Sequence, residues 1–143
     1  MPQRIGYLTG VFDLFHVGHL ELLELARREC DQLVVGVLTD EWAVDAWGVR
    51  PFAPLVERAQ ILEQLRCVDV VVPVDGIDPD WLTAELGVRV VFAADGTDGV
   101  LGFDEFAGRL PGELVSALPP VRGSRSQILR AAIDQRQSRS SVA

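Results

Sequence analysis

The fold is decided by residues 4–38, which read RIGYLTGVFDLFHVGHLELLELARRECDQLVVGVL. Residues 4–8 form a short β-rich run, and residues 17–30 carry apolar side chains at the spacing of an amphipathic helix. Residues 32–38 are almost continuously apolar, as in a parallel strand covered on both faces. The segment therefore predicts a strand, a loop, a helix and a second strand, joined as in a parallel sheet.

The rest of the chain continues this alternation. Three further strands are predicted, at residues 68–74, 88–93 and, more weakly, 114–118. Helices are predicted at residues 54–66 with Pro54 first, at residues 79–86, and from residue 124 onward. The order predicts an α/β fold: a Rossmann-like open parallel five-stranded sheet with helices on both faces and ligands at the carboxyl ends of the strands.

Length and composition limit the domain count and the classes of partner. With 143 residues, we expect one domain at residues 1–135, followed by a polar, disordered tail at residues 136–143. The net charge of -8 disfavours binding of nucleic acid, and no apolar run is long enough to span a membrane. The two cysteines form no C-x-x-C pair and no signal peptide is evident, so we expect a cytoplasmic protein.

The loop after the first strand contains both of the chain's histidines, His16 and His19, at the start of the predicted helix. A helix N-terminus presents unpaired N–H groups and a partial positive charge, which favour an anion. Imidazoles there can donate hydrogen bonds to phosphate oxygens and, when partly protonated, stabilise developing charge. The alternative is structural: a packed loop histidine and a surface histidine. No third ligand accompanies the pair, so we expect no protein-bound zinc.

Residues 10–26, GVFDLFHVGHLELLELA, resemble the signature of the HxGH nucleotidylyltransferase superfamily, especially its glycerol-3-phosphate cytidylyltransferase-like group. Weaker matches follow at Thr39-Asp40-Glu41, at residues 57–66, at Val68-Asp69 and in the Gly/Asp-rich turn at residues 95–98. The resemblance extends over residues 4–133. Its first motif is the most specific.

This resemblance implies transfer of CMP from CTP to a small phosphate- or phosphonate-bearing acceptor such as glycerol 3-phosphate, with release of pyrophosphate. It also implies Mg²⁺ and a homodimer. Within the superfamily the alternative is an adenylyltransferase that uses ATP on a sugar phosphate, flavin mononucleotide or phosphopantetheine. An alternative of another class is a nucleotide-binding regulatory subunit without turnover.

The resemblance also implies site residues. The catalytic set is His16, His19, Arg50 and Ser124. The nucleotide-binding set is Gly10, Val11, Phe12, His16, Gly18, His19, Arg66, Asp95, Gly96, Arg122, Ser124, Arg125 and Ser126. The acceptor-binding set is Asp13, Asp40, Arg58 and Trp47.

The sequence departs from the family pattern in two segments. Where cytidylyltransferases have a lysine pair, the loop reads Ala46-Trp47-Gly48-Val49-Arg50, and Arg50 is its only cation. Arg50 could instead be a solvated loop residue. Near the C-terminus, Gly123-Ser124-Arg125-Ser126 replaces an Ile-Ser-(Ser/Thr)-Thr stretch, and Ser124 could simply cap a helix.

Three tryptophans and one turn remain open to two interpretations. Trp42 and Trp81 lie at predicted helix starts, where packing is expected, whereas Trp47 in the irregular loop is a candidate pocket lid. The turn at residues 95–98 follows a strand and could contact a ligand or be a plain turn.

Overall fold

The computed structural model describes residues 3–97, 99–119 and 133. Its five strands are β1 Ile5–Gly10, β2 Gln32–Leu38, β3 Val70–Val74, β4 Val88–Ala93 and β5 Val115–Ala117. They form one sheet in the order β3-β2-β1-β4-β5, with every neighbouring pair parallel. The predicted Rossmann-like parallel five-stranded sheet is confirmed.

The described helices are α1 Val17–Arg28, α2 Asp40–Trp47, α3 Leu55–Glu63 and the short α4 Phe103–Phe106. A π-helical turn at Trp81–Glu85 precedes β4, and a 3-10 turn at Gly112–Leu114 precedes β5. No helix in these described ranges is long and apolar enough to cross a membrane.

The core lies on both faces of the sheet because neighbouring strand residues point to opposite sides. Leu8 packs in one cluster with Leu23 of α1 and Leu62 of α3. Tyr7, its neighbour along β1, packs in the other cluster with Phe106 of α4. The predicted placement of helices on both faces is therefore confirmed.

Strand order places the loop after β1 at a switch point. From β1 the chain continues to β2 on one side, whereas the other side of β1 pairs with β4. The connections leaving the carboxyl ends of β1 and β4 diverge there and open a crevice, which is where open α/β sheets bind ligands.

Several predicted boundaries and one whole helix differ from the structure. A helix start was predicted near Trp42 and a loop at residues 46–50, but α2 extends over Asp40–Trp47. Trp47 is therefore the last residue of a helix. Pro54 is the N-cap of α3 rather than its first residue. The helix predicted from residue 124, the domain end at 135 and the tail at residues 136–143 fall on residues outside the described ranges, Ile133 excepted.

Candidate active site

The loop after β1, residues 10–19, which we call the histidine loop, has an unusual backbone. Phe12 and Leu14 adopt φ angles of 54° and 50°, in the left-handed region that costs free energy for residues other than glycine. The backbone is held by neighbours: Val11 donates from its N–H to the Gly99 carbonyl at 2.7 Å. Such strain persists only where the surroundings enforce it, and it is concentrated at functional sites.

Gly10 is required by protein packing. A Cβ at this position would lie 2.7 Å from the Gly99 carbonyl oxygen and 3.0 Å from the Cα of Val100. The family resemblance assigned this glycine to the nucleotide-binding set. The packing against residues 99 and 100 is a structural reason for a glycine here, and the predicted nucleotide contacts of Gly10, Val11 and Phe12 stay predictions.

His16 and His19 together cap the N-terminus of α1. His16 is the N-cap residue, and its Nδ1 accepts a hydrogen bond from the backbone N–H of Gly18 at 3.0 Å. The Nδ1 of His19 accepts from the backbone N–H of His16 at 3.3 Å. Two imidazoles thus form a capping box, in places that Ser or Thr and Glu or Gln usually occupy. The nucleotide contacts predicted for Gly18 and both histidines stay predictions.

The two imidazole rings are stacked. Their centroids are 4.1 Å apart with planes inclined by 26°, and Phe15 stacks on the other side of His19 at 5.3 Å. His19 is fully buried, while His16 is partly exposed. Because each Nδ1 accepts a hydrogen bond, Nε2 is the donor atom of each ring in its neutral form. The partial protonation expected of the rings stays a prediction.

The buried carboxylate of Asp13 links the histidine loop to the loop that follows α2. It is 3% exposed, and its two oxygens accept hydrogen bonds from the backbone N–H groups of Phe52 at 2.7 Å and Ala53 at 3.0 Å. Asp13 therefore ties Phe52 and Ala53 to the histidine loop. Its predicted contact with an acceptor stays a prediction.

Arg58 joins four segments at the same edge of the sheet. Its guanidinium is 1% exposed and donates to the carbonyls of Ala53 at 2.9 Å, Val11 at 2.7 Å and Leu38 at 2.8 Å. It also forms a short ion pair with the carboxylate of Asp40. These contacts make Arg58 a positioning residue. Its predicted contact with an acceptor stays a prediction.

Arg50 lies at the outer side of this network. Its side chain is 69% exposed, and its Nη1 is 4.0 Å from the second oxygen of Asp40. The whole sequence contains 13 basic residues, all arginine, so no lysine elsewhere replaces the family's pair. Among the described residues, the exposed Arg50 side chain is thus held only by this long ion pair, whereas Asp40 is also bonded to the buried Arg58. Its predicted catalytic role, like the acceptor contact of Asp40, stays a prediction.

A cleft of about 550 Å³ adjoins the histidine loop, and we call it the Trp47 cleft. Trp42, Ala46 and Trp47 of α2 line one side. Residues 94–97, 99–102, 104 and 105, after β4, line the other. This volume is within the range of small-molecule sites. The structure thus brings Trp47, Asp95 and Gly96 together, although the sequence assigned Trp47 to the acceptor and the other two residues to the nucleotide.

Comparison with known proteins now identifies the family. The model of the cytidylyltransferase-like family matches residues 7–110. The chain belongs to this family. The resemblance to the nucleotidyltransferase superfamily is therefore confirmed, and the matched range contains the histidine loop, Arg58 and the Trp47 cleft.

Relatives of this cytidylyltransferase-like chain include "Bifunctional protein HldE" of Acidiphilium cryptum, which is 41% identical over 133 residues, 89% of this chain and 27% of that protein. HldE of Halorhodospira halophila is 36% identical over 137 residues, 94% of this chain and 28% of that protein. The chain thus spans about a quarter of the length of these relatives. A solved lipopolysaccharide core biosynthesis protein from Thermoplasma volcanium superposes with a TM-score of 0.61 at 25% identity, covering 68% of this chain and 79% of that one.

Arg66, which the family resemblance assigned to the nucleotide, is not brought to this site. Arg66 follows α3 and precedes β3, and nearby Asp69 bonds to Leu33 at the start of β2, so Arg66 lies at the amino edge of the sheet. The histidines lie at the opposite, carboxyl edge. The fold therefore gives no support to a nucleotide contact by Arg66. The predicted residues Arg122, Ser124, Arg125 and Ser126 fall outside the described residues.

Sequence reasoning assigned no role to two residues near the site of this family member. Thr39 caps α2, and the carbonyl of Gly99 accepts a hydrogen bond from the backbone N–H of Val11. Thr39 before two acidic residues is a recognisable N-cap signal. The role of Gly99 depends on how the segment after β4 folds back, which has no local sequence signal.

Proposed function

We propose that this chain transfers an adenylyl group from ATP to a sugar phosphate and releases pyrophosphate. The observation that carries the transfer chemistry is the pair of stacked imidazoles at the N-terminus of α1. Each Nδ1 accepts a backbone hydrogen bond, which leaves Nε2 as the donor atom of the neutral ring. Two adjacent N–H donors at the positive end of a helix suit the oxygens of a triphosphate.

The choice of ATP and a sugar phosphate is supported by the relatives. Matches to HldE extend over most of the chain, and the structural neighbour is named for the synthesis of a lipopolysaccharide core, which is built of sugars. The sequence resemblance had placed CTP and a glycerol-3-phosphate-like acceptor first. The relatives favour the second expectation, in which ATP is paired with a sugar phosphate.

In the proposed reaction an oxygen of the acceptor's phosphate attacks the α-phosphorus of ATP. A new P–O bond forms as the bond from the α-phosphorus to the bridging oxygen breaks, and pyrophosphate leaves with that electron pair. The imidazoles of His16 and His19 donate hydrogen bonds to the phosphate oxygens as negative charge develops on them. The protein otherwise contributes by positioning, because no covalent enzyme intermediate is required.

Magnesium enters this proposal as part of the substrate, Mg–ATP. Within the described ranges no three His, Cys, Asp or Glu side chains are grouped to hold a metal ion. Mg²⁺ is commonly bound mainly through substrate phosphates and water, which fits such a site. We further propose a cytoplasmic location, since Cys30 and Cys67 are both free thiols, as expected in a reducing compartment.

A pair of His16 variants tests the role of the imidazoles. Asn at position 16 keeps an oxygen that can accept from Gly18 and cap α1, but it lacks the Nε2 donor. Gln keeps a donor near the Nε2 position but fits the cap poorly. We expect His16→Asn to remain folded and lose about 100-fold or more in kcat for pyrophosphate release, as when one transition-state donor is removed. His16→Gln should be less stable and retain more activity.

The assay mixes the chain with Mg–ATP or Mg–CTP and a panel of sugar 1-phosphates and glycerol 3-phosphate, and follows pyrophosphate. Equal activity of His16→Asn and the parent would contradict the role of the imidazole. Binding of triphosphate without pyrophosphate from any acceptor would favour the non-catalytic regulatory subunit, the reading that the lack of lysine suggests. Release of pyrophosphate only with CTP and glycerol 3-phosphate would favour the cytidylyltransferase that the sequence resemblance placed first.

A further inference from the structure

The carboxylate of Asp13 binds every backbone N–H group of a segment bounded by prolines, residues 51–54. Proline has no N–H group, so this Pro-Phe-Ala-Pro segment offers only those of Phe52 and Ala53. Both are donated to Asp13, to one oxygen at 2.7 Å and to the other at 3.0 Å. The Ala53 carbonyl also accepts from the Nε of Arg58 at 2.9 Å. The segment is therefore bonded at its centre, and a proline ring limits φ at each end.

The backbone on both sides of Asp13 has an unfavourable conformation. Its chain neighbours Phe12 and Leu14 have φ angles of 54° and 50°. Such angles cost free energy for residues other than glycine and persist only where the surroundings enforce them. The two hydrogen bonds of Asp13 contribute to this, since they join the turn to residues 39 and 40 positions further along the chain. The histidine loop and residues 51–54 are thus bonded to each other through Asp13.

Arg50 directly precedes this segment, and the backbone determines where it lies. Its side chain is 69% exposed, and the ion pair found for it within the described residues joins its Nη1 to Asp40 across 4.0 Å. Exposed ion pairs contribute little to holding a side chain in place. Pro51 also disfavours helical backbone at the residue before it. The point from which the Arg50 side chain extends is therefore set by residues 51–54.

The surroundings of Asp13 suit it better to holding a loop than to contacting a phosphate-bearing acceptor. Its carboxylate is 3% exposed, and each oxygen accepts a backbone N–H. A phosphate beside this carboxylate would be repelled by its charge. Arg50 has the opposite properties, because it is exposed and carries a positive charge that attracts phosphate oxygens.

We propose that Asp13 is a positioning residue that acts through Arg50: it holds residues 51–54 so that the Arg50 guanidinium meets the phosphates bound at the histidine loop. This inference rests on the proposed nucleotidyl transfer and adds the residue that places its exposed cation. A misplacement of about 1 Å can cost about 100-fold in rate. Release of the segment should therefore reduce activity although Asp13 does not touch the substrate.

A double-mutant cycle tests the route through Arg50. The parent, Asp13→Asn, Arg50→Met and the double variant are compared by the calorimetric Kd for Mg–ATP and by kcat/KM for pyrophosphate release from Mg–ATP and a sugar 1-phosphate. Arg50→Met should raise Kd or lower kcat/KM by about 10- to 100-fold, the value of a hydrogen bond to a charged group. Asp13→Asn should change the same quantity by no more than that factor. The double variant should match Arg50→Met, because the residue that Asp13 positions is already removed.

Asp31→Asn is the matched control for Asp13→Asn. Asp31 also accepts a backbone N–H, that of Arg4 at 2.7 Å, but it lies directly before β2 at the amino edge of the sheet. Its replacement should leave the Kd and kcat/KM of the parent unchanged. A loss equal to that of Asp13→Asn would show that any aspartate bonded to the backbone has this effect.

Two further measurements separate positioning from folding. A chain that carries Val49→Arg together with Arg50→Val keeps Asp13 and the net charge but displaces the cation by one residue, and it should lose as much activity as Arg50→Met. Amide hydrogen exchange should show the N–H groups of Phe52 and Ala53 protected in the parent and exchanging faster in Asp13→Asn.

The positioning role is overturned if the losses of the two single variants multiply in the double variant, or if Asp13→Asn costs more than Arg50→Met. It is also overturned if Arg50→Met changes neither quantity, if the chain with the displaced cation matches the parent, or if amide exchange is unaltered. Coupled losses in Kd without any pyrophosphate release would contradict the proposed function and support the positioning role. Turnover with independent losses would do the reverse, and a parent that binds no Mg–ATP would contradict both.

Discussion

The guanidinium of Arg58 is the most heavily bonded side chain of the site, and its removal should destabilise the fold. Arg58→Met would remove the donor to the Asp40 carboxylate, to the buried carbonyls of Val11 and Leu38 and to the partly buried carbonyl of Ala53. We expect the free energy of unfolding to fall by about 3 to 5 kcal/mol, the cost of breaking a buried ion pair from one side. Urea denaturation measures this change.

Arg50→Met is the matched control for that measurement, because the same carboxylate of Asp40 is its partner. The Arg50 side chain is 69% exposed, so its loss should change the free energy of unfolding by less than about 1 kcal/mol. Similar stabilities for the two variants would show that Arg58 does not hold the site together.

Tyr7 is the chain's single tyrosine and should make stability depend on alkaline pH. Desolvation by burial raises the pKa of Tyr7 from 10.0 to about 12, against a smaller lowering by a hydrogen bond with Thr9. The neutral phenol is therefore favoured in the folded state. The raised pKa adds about 3 kcal/mol to the free energy of unfolding below pH 10, and this stabilisation is lost as the pH rises toward 12.

Tyr7→Phe tests this dependence. The variant should lose less stability than the parent between pH 10 and pH 12 in urea denaturation. Both proteins contain Cys30 and Cys67, so ionisation of these thiols affects the two alike. In the parent, tyrosinate absorbance should develop near pH 12 or on unfolding. Ionisation near pH 10 in the folded parent would contradict the burial argument.

At the scale of elements, helix α2 depends on one hydroxyl at its start. The side chain of Thr39 accepts from the N–H of Trp42 at 3.1 Å and donates to Asp75, just after β3, at 2.6 Å. Thr39→Ala should reduce the free energy of unfolding by about 1 kcal/mol and loosen the contact between Trp42 and Trp47, visible as weaker near-ultraviolet circular dichroism. Thr39→Ser, which keeps the hydroxyl, should match the parent. Equal stability of Thr39→Ala and Thr39→Ser would exclude this cap.

Sequence predicted those elements best that bury a continuous apolar pattern. Strand β2 was predicted with its observed bounds because residues 32–38 are buried on both faces. Helix α2 was missed beyond its start because only Ala43 among its residues is buried, so its caps, Thr39 and Gly48, stabilise it more than periodicity reveals. Because α2 extends to Trp47, this residue lies at the end of a helix and not in a loop.

The candidate site was predictable where one local motif defines it. The Gly-flanked histidines were found because they occupy a single strand-to-helix loop. The hydrogen bonds by which Arg58 joins several segments were not predictable, since its partners Val11 and Leu38 are 47 and 20 residues distant in sequence. Arg66 lies between α3 and β3, at the amino edge of the sheet, and its predicted nucleotide contact stays a prediction.

At the scale of the whole molecule, the homodimer implied by the family resemblance stays a prediction. Apolar side chains are exposed at Val49, Phe52 and Val56, around the loop that Asp13 positions. Sedimentation equilibrium of the complete chain should give twice the monomer mass of 15.7 kDa. A monomer mass over the micromolar range would contradict the expectation.

The most direct test of the central claim is phosphorus NMR of the products formed from equal amounts of Mg–ATP and Mg–CTP with a sugar 1-phosphate. Transfer of an adenylyl group predicts new pyrophosphate-linked resonances of an ADP-sugar together with free pyrophosphate, and His16→Asn should form neither at a comparable rate. A CDP-linked product would contradict the assignment of ATP, and unchanged spectra with every sugar phosphate in the panel would contradict adenylyl transfer to a sugar phosphate.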